Sequence, residues 1–332
     1  MMITLTNLVV VLVILVCAII LDLIFGDPSP NYPERLKFKM HPTVWMGNYT
    51  KMLEPVFKNR NPKLEKLGGV FLALIVIATF TIPVYFLLYF ISAYLHVLVY
   101  VVVASVILKL TVCVKLETDW GIAAAKAIES GDLEEARKYA HFSRRDNKNL
   151  TGSQIVSSVI ESLAENLTDF RLSPIFYYGL FGVPGAVAFR TINTLDGMVG
   201  FKDPEHIHIG WFSAVTDTIV NYVPARVTTL LIIIASAILG EDYKSAWNIA
   251  IRDQTKIPST NHGWQMASMA GALRVKLEKP GQYAVGDPIE ELDANKILRS
   301  LRIRNVAILL AILFTLPLLA VTSMYLFPLL GY

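Results

Sequence analysis

Charge is what this sequence has least of. Only 17% of its 332 residues are Asp, Glu, Lys or Arg, 54% are hydrophobic, and the mean hydropathy is +0.50. That balance excludes an ordinary soluble domain and describes an integral membrane protein. The formal net charge is +3, so there is no broad basic field. No motif of a nucleic-acid module is visible either, and nucleic acid is set aside as a partner. Cysteine is scarce: Cys17 and Cys113 both lie within apolar runs, which excludes a disulfide framework or a cysteine metal centre and leaves them as packing residues. No G-x-x-x-x-G-K-[ST] occurs, and Gly68-Gly69 lead into an apolar run with no Lys behind them. A nucleotide would have to be held without a P-loop.

What the chain does have is long apolar runs. Met1 to Leu21 carries no charge, and it lacks the basic start and small-residue cleavage site of a signal peptide, so it is expected to stay as a first span. Gly68 to Leu108 is 41 residues without a charge, which makes two spans joined near Ser92 to His96, with Pro83 a kink. Asn305 to Tyr332 is uncharged again. The expected fold is an all-α polytopic membrane protein forming one membrane-embedded domain over residues 1–332, with spans at about 3–25, 68–90, 93–114 and 305–328. Polar segments fill 26–67, 115–171, 190–218 and 241–304. Two further apolar segments, 172–189 and 219–240, are interrupted or short, and a re-entrant reading is favoured over full crossings. The first loop holds Arg35, Lys37, Lys39, Lys51, Lys58, Arg60, Lys63 and Lys66, whereas the hairpin loop holds no Lys or Arg. By the positive-inside rule the first loop and the polar segments 115–171 and 241–304 are cytoplasmic in the cell membrane and the N-terminus is outside, while the side of 190–218 stays open.

Glu161 to Arg226 concentrates the polar residues around one of the apolar inserts. Glu161 and Glu165 are four apart and share a helix face, with Asn166 and Asp169 at the end of the same helix. Beyond the insert come Arg190, Asn193, Asp196 and Lys202, then Asp217, Asn221 and Arg226. Ionisable groups beside membrane segments point to function with a partner, and these are expected to form one site. The plainer alternatives are a solvated helix face for the two glutamates, a helix cap for Asp196, interfacial snorkelling for Arg190 and Arg226, and an exit turn for Asp22 and Asp27. His206 and His208 alternate in a loop and give a weak metal hint. Trp120, Trp211 and Trp264 suit either stacking on a flat ligand or anchoring at the membrane interface.

At these residues the chain resembles a known family. ESLAEN with Asp169, R-x-x-NTLD-x-MVG-x-K, D-x-x-x-N-x-x-PAR ending at Arg226, and S-x-N-x-GW followed by MAGAL are similar to the adenosylcobinamide-phosphate synthases of cobalamin biosynthesis, CobD/CbiB. So are LDLIFGDP (Asp22, Asp27), His41-Pro42 and Glu54, over roughly residues 20 to 285 in the same order. The family's usual SPN-x-GWP-E reads here Ser259-Thr260-Asn261-His262-Gly263-Trp264-Gln265-Met266, and Ile257 stands where a His often precedes it.

The resemblance implies an amide ligase that uses ATP and Mg²⁺ to join a propionate carboxylate of adenosylcobyric acid to an aminopropanol phosphate. The partners are then a corrinoid, an amino-alcohol phosphate and the lipid bilayer, with association with other corrinoid-pathway enzymes a further expectation. A carboxyl oxygen must be turned into a leaving group, which calls for metal, cations and a cavity shielded from water. On that basis Glu165, Asp169, Asp196 and Asp217 are expected to be catalytic, with Glu165 and Asp196 on the metal because Asn166 and Asn193 stand beside them. Glu161, Asn166, Arg190, Asn193, Lys202, Asn221, Arg226, Ser259, Asn261 and Trp264 are expected to bind substrate or ATP. Asp22, Asp27 and His41 are matched to the family without a role. A secondary transporter or a non-catalytic scaffold would be the reading from another class.

Overall fold

A computed structural model describes residues 2–140 and 149–325. Positions 326–328 of the expected last span, and 141–148 of the expected polar segment 115–171, lie outside the described residues. The architecture is all-α and polytopic. Among the described residues four helical runs are long and apolar enough to cross a membrane: Asn7–Phe25, Pro62–Tyr94, Gly152–Val199 and Ala294–Ser323. The broken pair Trp211–Val220 and Tyr222–Ile238 adds a fifth if it counts as one span.

Local chemistry sets the helix ends. Helix α1 (Met2–Phe25) has no Gly or Pro within it and stops where Gly26 takes φ 62 ahead of Asp27-Pro28. Helices α2 (Leu36–Lys39) and α3 (Pro42–Phe57) follow, α3 opening on a proline. Helix α4 (Pro62–Tyr94) starts with Pro62 behind an Asn61 cap whose side chain accepts from Lys63 N at 2.9 Å. Helix α5 (Val97–Lys109) replaces the expected span 93–114 with 13 residues. That is about 20 Å at 1.5 Å per residue, short of a hydrocarbon core of roughly 30 Å. It ends at Lys109, whose charge is held in a polar cluster described below.

Helices α6 (Lys115–Glu129), α7 (Leu133–Arg137) and α8 (Gly152–Leu167) come next, α8 starting in a capping box of Thr151 and Gln154. A π-helical turn, Thr168–Leu172, leads into α9 (Ser173–Val199), which breaks at Gly182 (φ 67, ψ −163) ahead of Pro184. Helix α9 runs on through the first ten residues of the segment 190–218, so that polar segment begins inside a helix. Helices α10 (Trp211–Val220), α11 (Tyr222–Ile238), α12 (Tyr243–Asp253) and α13 (His262–Leu273) precede a short antiparallel hairpin, β1 (Leu277–Lys279) with β2 (Tyr283–Val285), and α14 (Ala294–Tyr325). The hairpin turns through Gly281 at φ 74. Glu278 N at its start donates to Ser157 Oγ on α8 at 2.8 Å.

The chain forms two compact units. The first comprises Met1–Val114, Ser173–Val220 and Phe314–Tyr332; the second Lys115–Leu172 and Asn221–Leu313. In the first unit Leu72, Ala73 and Val76 of α4 pack with Leu195 of α9 and Ile209. Gly210 admits no side chain there, since a Cβ would fall 1.7 Å from Val199 O. In the second unit α13 is the central helix, packed by α8, α11 and α12 through Met266, Met269, Ala270 and Leu273.

The first unit also contains a buried ionic cluster. Lys109 Nζ donates to Gly26 O at 2.9 Å and to Asp27, and lies 3.6 Å from Asp22 Oδ1. Asp22 Oδ2 accepts from Val114 N at 2.8 Å. His41 stands 3.5 Å from Asp27 and bonds Thr43 Oγ1 at 2.7 Å. Burial alone would raise the Asp27 carboxyl, but the His41 contact and the Lys109 charge outweigh it and hold the group below its ordinary value. Removing one member of a buried set leaves the other charge uncompensated, so Lys109→Met should cost about 3–5 kcal/mol of stability in detergent denaturation, with part restored by adding Asp27→Asn. A carboxyl lowered by folding stabilises above its unfolded pKa of about 3.9 and loses that contribution as pH falls through its lower folded value. Asp27→Asn should therefore flatten the loss of stability below about pH 4.

Candidate active site

The second unit brings most of its expected site residues to one place, at the end of α8 and the start of α13. Glu161 lies buried on α8, where Ser157 Oγ donates to one carboxylate oxygen and Tyr283 OH to the other, both at 2.7 Å. Glu165, one turn on, faces α13. After Leu167 the helix widens into the π turn, a device common at functional sites. Thr168 Oγ1 receives Gln265 Nε2 at 2.8 Å and bonds Thr228 Oγ1 at 3.0 Å, tying the turn to α13 and α11. Arg171 in the same turn is fully buried and pairs with Glu117 of α6. Between these anchors Asp169 is directed at α13.

His262, first residue of α13, stands between the two acids. Its Nδ1 is 3.2 Å from Glu165 Oε1 and its Nε2 3.4 Å from Asp169 Oδ2. One ligand atom from each of the three residues lies within 4.8 Å of the others, so the trio has the reach to hold a metal ion. Asp169 Oδ1, Asn166 Nδ2 and Trp264 Nε1 are buried with no hydrogen-bond partner among the described residues. Arg226 of α11 stacks on Tyr222, its guanidinium carbon 3.7 Å from the ring centroid, and lies 5.4 Å from the Trp264 ring centroid. It donates to Asn261 Oδ1 at 2.6 Å and to Tyr222 O at 3.0 Å. Ser259 Oγ accepts from His262 N at 3.2 Å. Asn221 is buried just ahead of α11. A cation beside a helix start, with unmet donors next to carboxylates, is suited to phosphate oxygens and a divalent ion together.

The first unit gathers another part of the expected set. On α9 and α10, Arg190 Nη1 donates to Asn193 Oδ1 at 3.4 Å, and Asn193 Nδ2 to Asp217 Oδ1 at 3.3 Å. Asp196 lies in the last turn of α9, so it does not cap a helix start, and a carboxylate at a helix C-terminus opposes the dipole. Its carboxylate folds over Gly200, where a Cβ would come within 1.9 Å of Oδ1. Lys202 borders a cavity of about 370 Å³ lined also by Phe201, Trp211 and Val215. Asp22, Asp27 and His41 are tied up with Lys109 as described above. The histidine pair of the sequence reading separates: His206 joins Glu54 and Glu205 in a second metal-capable group, without His208. The Lys58 ammonium already sits there, 2.9 Å from Glu54 and 2.8 Å from Glu205. Trp120 is buried edge-on against Tyr139, and Trp211 has Lys66 Nζ 5.4 Å above its ring.

Two residues that complete these clusters had not been assigned a role. His262 stands inside the S-x-N-x-GW block next to Asn261, and its place in that block is the signal the sequence offers. Lys109 is the lone charge at the end of a 41-residue uncharged run, and a charge in that setting needs a partner.

Residues 15–320 match the family profile described as CobD/Cbib protein. The probable cobalamin biosynthesis protein CobD of Methanothermobacter thermautotrophicus is 38% identical over 304 residues, covering 91% of this chain and 95% of that protein. The protein of the same name from Thermoplasma acidophilum is 36% identical over 311 residues, covering 93% and 97%. The cobalamin biosynthesis protein CobD of Dehalococcoides mccartyi is 33% identical over 296 residues, covering 89% and 93%. No solved structure matches the chain. Because these matches run along nearly the whole sequence, the chain belongs to the CobD/CbiB family, whose named relatives are cobalamin biosynthesis proteins.

Proposed function

We propose that this protein forms an amide between the propionate carboxylate of adenosylcobyric acid and the amine of aminopropanol phosphate, at the expense of ATP. The observation that carries this reading is the second-unit cluster of Glu165, Asp169, Asn166, His262 and Arg226, set in a family with a role in cobalamin biosynthesis. A carboxylate does not acylate an amine in water at a useful rate. A carboxylate oxygen attacks the γ-phosphorus and ADP leaves; the amine then attacks the acyl carbon, phosphate leaves, and the ammonium proton passes to a base.

The residues have parts to play in that sequence. Arg226, held rigid by Tyr222 and Asn261, is positioned to offset phosphate charge. Asn166 Nδ2 and Trp264 Nε1 supply buried donors that orient oxygens. A bound Mg²⁺ would offset charge on the phosphate oxygens. The unsatisfied Asp169 Oδ1 and the neighbouring Glu165 carboxylate fit it, and these two would hold it. In the first unit, Arg190, Asn193, Asp196, Asp217 and Lys202 are proposed to serve substrate binding, with Asp196 offering a carboxylate to a metal within that unit.

Mass spectrometry of corrinoid products from purified protein with Mg²⁺, ATP and the amine should show the mass of the amide. Unchanged cobyric acid under saturating conditions would remove the proposal in favour of a transporter or scaffold. Glu165→Gln and Asp196→Asn should lower turnover by orders of magnitude and raise the Mg²⁺ needed for half-maximal rate, while Asp27→Asn leaves the Mg²⁺ dependence in place. Unchanged Mg²⁺ dependence in the first two would assign them to structure.

ATP is cytoplasmic, so the proposal places Asn193 to Lys202, and with it the adjoining Pro204, on the cytoplasmic side of the cell membrane, with the N-terminus outside. In a background lacking Cys17 and Cys113, cysteines replacing Thr194 or the exposed Pro204 should react with an impermeant thiol reagent only once it is admitted to the cytoplasm. Gly200 is unsuitable because its Cβ would meet Asp196. Labelling from outside alone would refute this orientation.

A further inference from the structure

We infer that Glu165, Asp169 and His262 form a mixed carboxylate–imidazole site for a first-row divalent transition cation, with His262 nitrogen as a direct ligand. The inference deepens the ligase reading and rests on it only for the site's purpose; the binding experiment below stands apart from turnover.

The three side chains come from separate elements, α8, the π turn and α13, yet present ligand atoms within 4.8 Å of one another. Two carboxylates carry two negative charges, and a single imidazole offsets at most one, so the trio lacks a positive charge in largely buried surroundings. The nearby cations are otherwise engaged: Arg226 donates to Asn261 and to Tyr222 O, while Arg171 pairs with Glu117. Lys279 on β1 is the remaining cation whose field reaches Glu165, and it supplies no ligand.

A second observation is independent of the charge count. Asp169 Oδ1 is buried with no hydrogen-bond partner among the described residues, and the side chain is only 9% exposed. A buried carboxylate oxygen left unmet is costly, and Asp169 is held in place by a turn secured at Thr168 and Arg171 rather than free to swing to water. The other oxygen, Oδ2, is the one 3.4 Å from His262 Nε2, so this carboxylate brings into the trio an oxygen with no partner among the described residues.

Donor chemistry then narrows the ion. Mg²⁺ prefers oxygen ligands throughout and keeps waters, whereas imidazole suits Mn²⁺, Fe²⁺, Co²⁺ and Zn²⁺. One ring nitrogen can ligate while the other hydrogen-bonds to a carboxylate, which is the usual support for a metal-bound histidine. His262 has a carboxylate beside each nitrogen, at 3.2 and 3.4 Å.

The probe is Mn²⁺, added to the purified full-length protein without ATP or corrinoid. Electron paramagnetic resonance of free Mn²⁺ should give one tight site per chain, and pulsed measurement on the bound ion should show coupling to a directly ligated ¹⁴N. His262→Gln should abolish the nitrogen coupling and weaken Mn²⁺ binding at least about tenfold. Asp169→Asn should weaken binding while the coupling persists on the ion that remains bound. His206→Gln, which touches the other metal-capable group, should leave both readouts unchanged. Thermal unfolding of each variant in detergent separates loss of the site from loss of the fold. The inference is overturned if folded wild-type protein binds no stoichiometric Mn²⁺, if bound Mn²⁺ shows no ¹⁴N coupling, or if the coupling survives in folded His262→Gln or disappears in folded His206→Gln. Amide formed with Mg²⁺ by a protein lacking that coupling would overturn this assignment alone and leave the ligase reading standing.

Discussion

An ionised side chain inside so apolar a chain persists only where another group meets it, and the placement of partners explains much of this structure. Arg171 and Glu117, both almost wholly buried, are held against each other, with Arg304 3.9 Å away. Lys109 is gripped by Asp27 and Gly26 O beside Asp22. Asp253, fully buried, accepts from Arg252, from Gly286 N and from Lys256, and its carboxyl lies far below the ordinary range because these partners outweigh the burial that would raise it. Each pair is weak evidence of net stabilisation, since desolvation offsets most of the attraction, but breaking one is expensive. The same constraint therefore fixes which helices must stay together.

Against that background the unmet groups are informative. Glu161 and Glu165 sit one turn apart on α8 and have opposite fates. Glu161 has both oxygens occupied by Ser157 and Tyr283, which ties α8 to the hairpin. Glu165 and Asp169 instead face a histidine, with Asp169 Oδ1 left over. The π turn that follows changes the angular spacing at Asp169, and it is held by Gln265, three residues after His262 on the same helix. One face of α13 thus both fixes the turn and supplies the imidazole.

The all-α membrane architecture and the family were legible in the sequence because run length, lack of charge and the order of polar blocks are local properties. Helices α1 and α4 lie where uncharged runs predict them. Partnership was harder to read. Tyr283 meets Glu161 across 122 residues, and Gln265 meets Thr168 across 97; neither spacing has a periodicity to announce it. The length of α5 was misjudged because hydrophobicity continues past Lys109 while the helix does not, the lysine being held by the cluster around Asp27. Likewise Asp22 and Asp27 look like an exit turn until Lys109 and His41 are placed beside them. Nothing local marks His262 as a ligand, since its carboxylate partners lie almost a hundred residues earlier.

The central claim is that these polar groups activate a carboxylate with ATP so that an amine can displace the leaving group. Adenosylcobyric acid carrying ¹⁸O in its free propionate carboxylate tests it in one turnover. If the carboxylate attacks the γ-phosphorus, one ¹⁸O must leave with the inorganic phosphate, and the phosphate recovered should be heavier by that label. Phosphate free of ¹⁸O alongside labelled AMP, or amide formed with both phosphate and AMP unlabelled, would contradict the account.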